Sequence, residues 1–243
     1  MMLLWTLLAL ALLAPLPGPK RRRGARVSMM LGFRLFLRIA TAAGALELDL
    51  TEVDALRAGP PLILAPNHPS SLDAILLLTR LPDLTCILKP ALLGNVFLGA
   101  GARLAGFVPS DPPLGMTRAA VAELARGAHV LLFPEGTRST RHPVNPLTGG
   151  AALIARRANV PIQVLLIETN SPFLGKGWPW FKAPALPLRC RIRLAARLGC
   201  AGDTAQCLLA LEREYAAGLA HAPQRAWIGR TEAQRATALP AER

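Results

Sequence analysis

Short apolar runs separated by stretches of helical period dominate the chain from Pro60 onward. Leu62–Ala65, Leu84–Leu88, Phe107–Val108, Val130–Phe133, Pro161–Ile167 and Leu188–Leu194 have the length of strands. Segments near 72–80, 90–105, 116–127, 149–158 and 204–219 have the spacing of helices. Such alternation predicts an α/β fold, with a mostly parallel central sheet flanked by helices. Thr148 stands where a cap for the 149–158 helix belongs, and Asn159 where a stop belongs.

The N-terminal pattern is different. Met1 to Pro17 is apolar, Pro17-Gly18-Pro19 interrupts it, and Lys20-Arg21-Arg22-Arg23 follows. A secretory signal carries its positive charge ahead of the apolar core, and here the charge comes behind. At about 17 residues the segment is at the short limit for a span, so an anchor and a span both stay open. Ser28 to Ala45 has Met30, Phe33, Leu37 and Ala40 on one helical face and Arg34 and Arg38 on another. That helix either packs on the domain or lies in a membrane interface, and the adjoining apolar segment favours the interface. The expected organisation is therefore a membrane-associated helical segment over 1–46, a domain over 47–220 and a frayed, Ala/Arg-rich tail over 221–243. Residues 171–187, with Pro172, Pro179, Pro184 and Pro187 among Trp178, Trp180 and Phe181, predict a loop. Its aromatics suit lipid or an acyl chain as well as they suit a cover over the core.

Charge sharpens this picture. The formal net charge of the 243 residues is +13, and seven basic residues precede the first acid, Glu47. Aromatic residues make up only 5% and the basic block abuts an apolar segment, which fits an anionic lipid surface and not nucleic acid. With positive charge kept inside, the chain is expected at the cytoplasmic face of the inner membrane. Mean hydropathy is +0.34, yet only residues 1–17 are apolar without interruption. Cys86, Cys190, Cys200 and Cys207 lack metal-ligand spacing and give no disulfide framework, so a reducing compartment and no metal are expected.

Two polar clusters each follow a predicted strand. Asn67-His68-Pro69-Ser70-Ser71-Leu72-Asp73 follows Leu62–Ala65, and Phe133-Pro134-Glu135-Gly136-Thr137-Arg138-Ser139 closes Val130–Phe133. In open α/β sheets, reactive groups gather beyond the carboxyl ends of strands. A neutral His68 can take a proton from an alcohol attacking a carbonyl, and Asp73 can orient it if the chain turns back at Pro69-Ser70-Ser71. No Gly-x-Ser-x-Gly elbow accompanies the pair, which leaves the substrate's own hydroxyl as nucleophile. His129, His142 and His221 lack such a setting. In the second cluster Pro134 ends the strand and Gly136 permits a tight turn. Arg138 offers a fork for phosphate or carboxylate, and Glu135 an acceptor for a polyol, although the two also make sense as a surface ion pair.

Together, Asn-His-x-Ser-x-x-Asp and Phe-Pro-Glu-Gly-Thr-Arg-Ser resemble the paired motifs of the glycerolipid acyltransferase family, bacterial lysophosphatidic acid acyltransferases in particular. The resemblance covers roughly residues 27–195. It implies acyl transfer from a thioester, acyl-CoA or acyl carrier protein, to the free hydroxyl of a lysophospholipid, with no further cofactor. It also implies His68 as general base and Asp73 as its orienter. Glu135, Gly136, Thr137 and Arg138 would bind the acceptor, with Arg138 on its phosphate. The family commonly carries a phosphate-holding arginine after a glycine-aromatic-isoleucine-like run. Here Gly106-Phe107-Val108-Pro109-Ser110-Asp111 has none, and Lys89 and Arg103 lie off the pattern. Lysophosphatidic acid is therefore the first expected acceptor, with an aminolipid or polyene-type lipid alcohol as the alternative. A non-catalytic membrane-binding protein is the reading from another class, and the intact His68/Asp73 pair argues against it.

Overall fold

A computed structural model describes residues 17–95, 99–179, 181–200 and 202–220. The expected apolar anchor over 1–17 (Pro17 apart), Trp180 and the tail from 221 lie outside the described residues. The chain opens with α1 (Gly18–Ala42), then β1 (Leu46–Asp49) and a 3₁₀ turn over Thr51–Leu56. It continues through β2 (Ile63–Pro66), α2 (Asp73–Leu78), β3 (Leu84–Leu88), α3 (Pro90–Leu93), α4 (Gly99–Leu104) and β4 (Val108–Pro109). The second half holds α5 (Pro113–Ala125), β5 (His129–Leu131), α6 (Gly150–Ala158), β6 (Ile162–Thr169), β7 (Leu188–Leu198) and α7 (Thr204–Ala220).

Seven strands form one sheet in the order β1-β7-β6-β2-β5-β3-β4. β6, β2, β5, β3 and β4 are mutually parallel, and β7 turns back antiparallel on β6, carrying β1 alongside it. The expected mostly parallel sheet flanked by helices is the fold. All four residues of β2 are buried, as a strand covered on both faces requires. One face packs Leu62, Leu64, Leu76, Leu77, Leu84 and Leu131 together, and the other packs Ile63, Val130, Ile162, Val164 and Tyr215. Tyr215 is fully buried on α7 and gives its hydroxyl proton to the Ala65 carbonyl, which fastens that helix across the centre of the sheet.

Helix α1 starts ten residues before the predicted Ser28 and takes in the whole basic block. Ala25, Met29 and Leu37 share the core with β2 and α2, and Phe33 and Ala40 pack against it. The face expected to meet a membrane is thus the face that packs on the domain. A second apolar stripe, Leu31, Leu35, Phe36 and Ile39, is at least half exposed. Part of the basic block is also committed inward. Arg26 is buried, with Nη1 2.6 Å from Asp83 and Nη2 2.5 Å from Glu123. Arg22 pairs with Glu123, and Arg34 Nε donates to the Thr79 carbonyl at 2.6 Å. Among the described residues no helix is long and apolar enough to cross a membrane.

Three further expectations are corrected. Cys200 and Cys207 form a disulfide with their Cα atoms 5.5 Å apart. The turn from β7 into α7 returns the first turn of the helix to the end of the strand, so the cysteine argument for a reducing compartment falls. The single helix expected over 90–105 is two short ones, α3 and α4. Thr148 caps nothing: its hydroxyl donates to the Pro134 carbonyl, and Gly149 is the residue that opens α6. Asn159 does end α6, in the left-handed conformation that asparagine tolerates.

Candidate active site

β6, β2 and β5 are parallel neighbours, so their carboxyl ends deliver three loops to one place. The loop after β2 carries His68, the loop after β5 carries Glu135 to Ser139, and the loop after β6 carries Ser171 to Gly177. Asn67 sets the position of the first loop. Its side-chain amide donates to the Ile167 carbonyl at 3.0 Å and its carbonyl accepts the Ile167 amide at 2.7 Å, extending the β2–β6 ladder by one side chain.

Past Asn67 the chain turns and begins α2, with Asp73 in its first turn, a favourable place for a carboxylate. The turn brings Asp73 Oδ2 to 2.8 Å from His68 Nδ1, and the same oxygen accepts the Ser70 amide at 2.8 Å. Asp73 is 1% exposed. Burial raises its pKa, against the bonds from His68 and Ser70, which lower it. With Asp73 accepting at Nδ1, that nitrogen carries the proton and Nε2 is left as the basic one. The imidazole also stacks on Phe133, centroids 3.7 Å apart and planes 18° apart. Ring plane and tautomer are both fixed before any ligand arrives.

The structure brings the second motif against the first but turns its acid inward. Glu135 Oε1 accepts the His68 amide at 3.0 Å and the Ser139 hydroxyl at 2.6 Å, and Oε2 accepts the Asn145 amide at 2.7 Å. Glu135 is buried and served by three protein donors, which is a clamp on the His68 backbone and not a surface ion pair with Arg138. Gly136 has φ +65°, the left-handed turn that glycine adopts without strain. Thr137 is half-buried beside it. Arg138 Nη1 donates to the Ser71 hydroxyl at 3.1 Å and to the Leu174 and Gly175 carbonyls at 2.8 and 3.1 Å. The arginine expected on a phosphate is here bound to the loop after β6.

That loop is strapped to the turn at further points. Ser70 Oγ donates to the Phe173 carbonyl at 2.9 Å and the Ser71 amide to the Leu174 carbonyl at 3.1 Å. Asn145, the stacking role of Phe133 and this strap escape sequence reading. Phe133 looks like the last residue of a strand, Asn145 lies in an aperiodic stretch, and the strap is made by backbone carbonyls, which no residue type announces. His129 is buried and spent on structure: Nδ1 accepts the Leu62 amide and Nε2 faces the Leu56 carbonyl. His142 is exposed. The buried Cys86 and Cys190 thiols are pushed up to about 12 and about 11 by loss of solvent, which removes them as nucleophiles.

A mostly parallel α/β sheet that presents a buried carboxylate–imidazole pair beyond the carboxyl ends of its strands is the frame of an enzyme active site. The chain belongs to the Acyltransferase family, whose model matches residues 47–168 and so takes in both motifs. Among curated proteins it is similar to 1-acyl-sn-glycerol-3-phosphate acyltransferase alpha of Mus musculus, 29% identical over 75% of this chain and 65% of that protein. The Homo sapiens protein of the same name is 28% identical over 63% of this chain and 57% of that one. The chain therefore spans less than two thirds of the length of these relatives. In fold it is similar to the 1-acyl-sn-glycerophosphate (LPA) acyltransferase PlsC of Thermotoga maritima, with a TM-score of 0.64 at 20% identity, covering 80% of this chain and 79% of that one.

Proposed function

We propose that the protein is an O-acyltransferase that moves a fatty acyl group from a thioester, acyl-CoA or acyl carrier protein, to the hydroxyl of lysophosphatidic acid. The observation that carries the reading is the 2.8 Å His68–Asp73 pair, held between the Asn67 and Glu135 anchors in a chain of this family. In this reading His68 Nε2 takes the proton of the acceptor hydroxyl as its oxygen attacks the thioester carbonyl. The C–O bond forms, the tetrahedral intermediate collapses with loss of the C–S bond, and the imidazolium returns its proton to the departing sulfur. Asp73 stabilises the imidazolium while it exists. Gly136, Thr137 and Arg138 border the acceptor, and Glu135 acts on it indirectly, through the backbone of His68.

The membrane reading moves to the outer face of α1. Leu31, Leu35 and Ile39 lie one turn apart opposite the packed face, with Arg38 exposed beside them, and Phe181 and Leu186 add exposed apolar surface in the loop after β6. We assign this surface to the cytoplasmic leaflet of the inner membrane, where a lysolipid acceptor resides.

One observation favours a second acceptor class. The run Gly106-Phe107-Val108-Pro109-Ser110-Asp111 lacks the phosphate-holding arginine that the resembling family commonly carries there, which suits a lipid alcohol without phosphate. A product assay separates the two. Purified protein in liposomes is given labelled acyl-CoA or acyl carrier protein with lysophosphatidic acid. His68-dependent phosphatidic acid is the expected product. Its absence, with acylation of a phosphate-free lysolipid instead, selects the second class, and no transfer to any acceptor ends the enzymatic reading.

A further inference from the structure

A cavity of about 490 Å³ opens beside the catalytic turn, lined by Pro69, Ser139 and Thr140 from the two motifs and by Ser171, Lys176 and Trp178 from the loop after β6. It adjoins the backbone that carries the base. Pro69 follows His68, and Ser139 Oγ accepts the His68 amide at 3.3 Å.

Thr169 is spent on the Ser171 amide and carbonyl, and the other polar side chains of the lining fall into two sets. Ser139 gives its proton to Glu135 and Thr140 gives its proton to Asn145 at 2.9 Å, so both offer a ligand acceptor lone pairs. On the loop side, Ser171 Oγ accepts the Phe173 amide and keeps its own proton among the described residues, and Lys176 brings three ammonium donors. Among the described residues the exposed Lys176 is the cation of the lining, and no carboxylate joins it there. Donors with a positive charge on one side, and acceptors on the side next to the base, match a phosphate ester that lies close to a free hydroxyl.

The backbone that carries Lys176 is held in place. A Cβ on Gly175 would lie 2.8 Å from the Pro172 carbonyl oxygen and 3.3 Å from that of Pro69, so only glycine lets the loop cross the turn this closely. Arg138 then pins the Leu174 and Gly175 carbonyls immediately before the lysine.

We infer that Lys176 binds the phosphate of a substrate in this cavity, and that Arg138 supports it by holding the loop. The inference rests on the acyl-transfer reading and names the recognition element for the same site. It also accounts for the run over 106–111 that lacks an arginine: the cation missing there is supplied from beyond β6. The phosphate belongs either to the acceptor or to the pantetheine arm of the donor, and the test has an arm for each.

Steady-state constants of Lys176→Met and Lys176→Arg are measured for lysophosphatidic acid and for acyl-CoA separately. Lys176→Met is expected to raise one KM by about tenfold or more, the effect of losing a charge-assisted hydrogen bond, with the change in KM and not in kcat. Lys176→Arg restores it. The substrate whose KM moves is the one whose phosphate occupies the cavity. Both KM values unmoved would overturn the inference. A second arm needs no turnover: calorimetric titration with glycerol 3-phosphate, or with phosphopantetheine, is expected to show binding that Lys176→Met weakens by the same factor. Equal binding of both ligands by wild type and variant overturns the site. Lysine-dependent binding without any acyl transfer contradicts the acyl-transfer reading and leaves the phosphate site standing.

Discussion

The turn after β2 and the first third of α1 both bury charge, and they do so over opposite distances along the chain. At the turn, His68 meets Asp73 five residues on, and the same carboxylate meets the Ser70 amide. In α1, Arg26 meets Asp83 and Glu123, which are 57 and 97 residues away. The turn pair can be found by spacing alone because one bend of chain closes it. The Arg26 pairs exist only once α2, β3 and α5 are folded beside α1, so the sequence shows a cluster of positive charge with no visible partner. A basic block beside an apolar segment can be spent inside the fold, and here its most buried member, Arg26, fastens the helix to the domain.

The largest effect expected from breaking this comparison is at the turn. Asp73→Asn keeps the shape and removes the carboxylate, so the imidazole loses its fixed tautomer and its partner when protonated. Acyl transfer should drop by roughly 10²- to 10⁴-fold in kcat with the thermal midpoint little changed. A loss below threefold would make the pair structural.

Arg26→Ala comes next and acts on stability. It removes the buried partner of Glu123 and Asp83 and the donor to the Ala105 carbonyl, while Arg22 and Arg126 stay on Glu123 and Arg23 on Asp83, and should cost about 1–3 kcal/mol in urea unfolding. Adding Glu123→Leu to Arg26→Met should recover part of that loss, because it replaces the buried ends of the pair by apolar groups and leaves only the part-exposed Arg22 and Arg126 to water. A cost below about 1 kcal/mol for the single variant would return Arg26 to the surface.

Glu135→Gln should cost about 1–3 kcal/mol, since the Asn145 amide then faces a donor in place of an acceptor. Activity should fall along with stability. If Glu135 instead held the acceptor, KM would rise with the unfolding midpoint unmoved, and the two readouts separate these roles.

The smallest effect is in the pH dependence of stability. Burial lowers the pKa of His129 below 6.5, so the folded protein keeps it neutral while the unfolded chain takes up a proton. The stability it contributes is complete above the unfolded value and is lost as pH falls through it toward the folded value. Against a His129→Asn variant, the wild type should lose more unfolding free energy between pH 7.5 and about 5.5. A parallel dependence would mean that His129 is hydrated.

Legibility in the sequence follows the same division. The central strands were readable because Leu62–Ala65 and Val130–Phe133 are apolar on both faces, and Pro161–Ile167 is so but for Gln163, as strands buried on both faces require. β1 was not: Leu46–Asp49 alternates apolar and acidic residues over a single short edge strand. His68, Asp73 and the Phe133–Ser139 block were readable as a site, since each follows such a strand. The direction in which Glu135 turns was not readable, because it depends on a backbone amide of the other motif. The outer stripe Leu31, Leu35 and Ile39 was overshadowed by the stronger inner face of the same helix. The Cys200–Cys207 pairing depends on the turn between β7 and α7, which no spacing rule supplies.

The most direct test of the account is the transfer rate of His68→Ala beside wild type, with labelled acyl thioester and lysophosphatidic acid at saturating concentrations and matched circular dichroism spectra. Removal of the base should lower the rate by about 10²- to 10⁴-fold. A folded variant that retains activity within tenfold of wild type would contradict the assignment of His68 as the base.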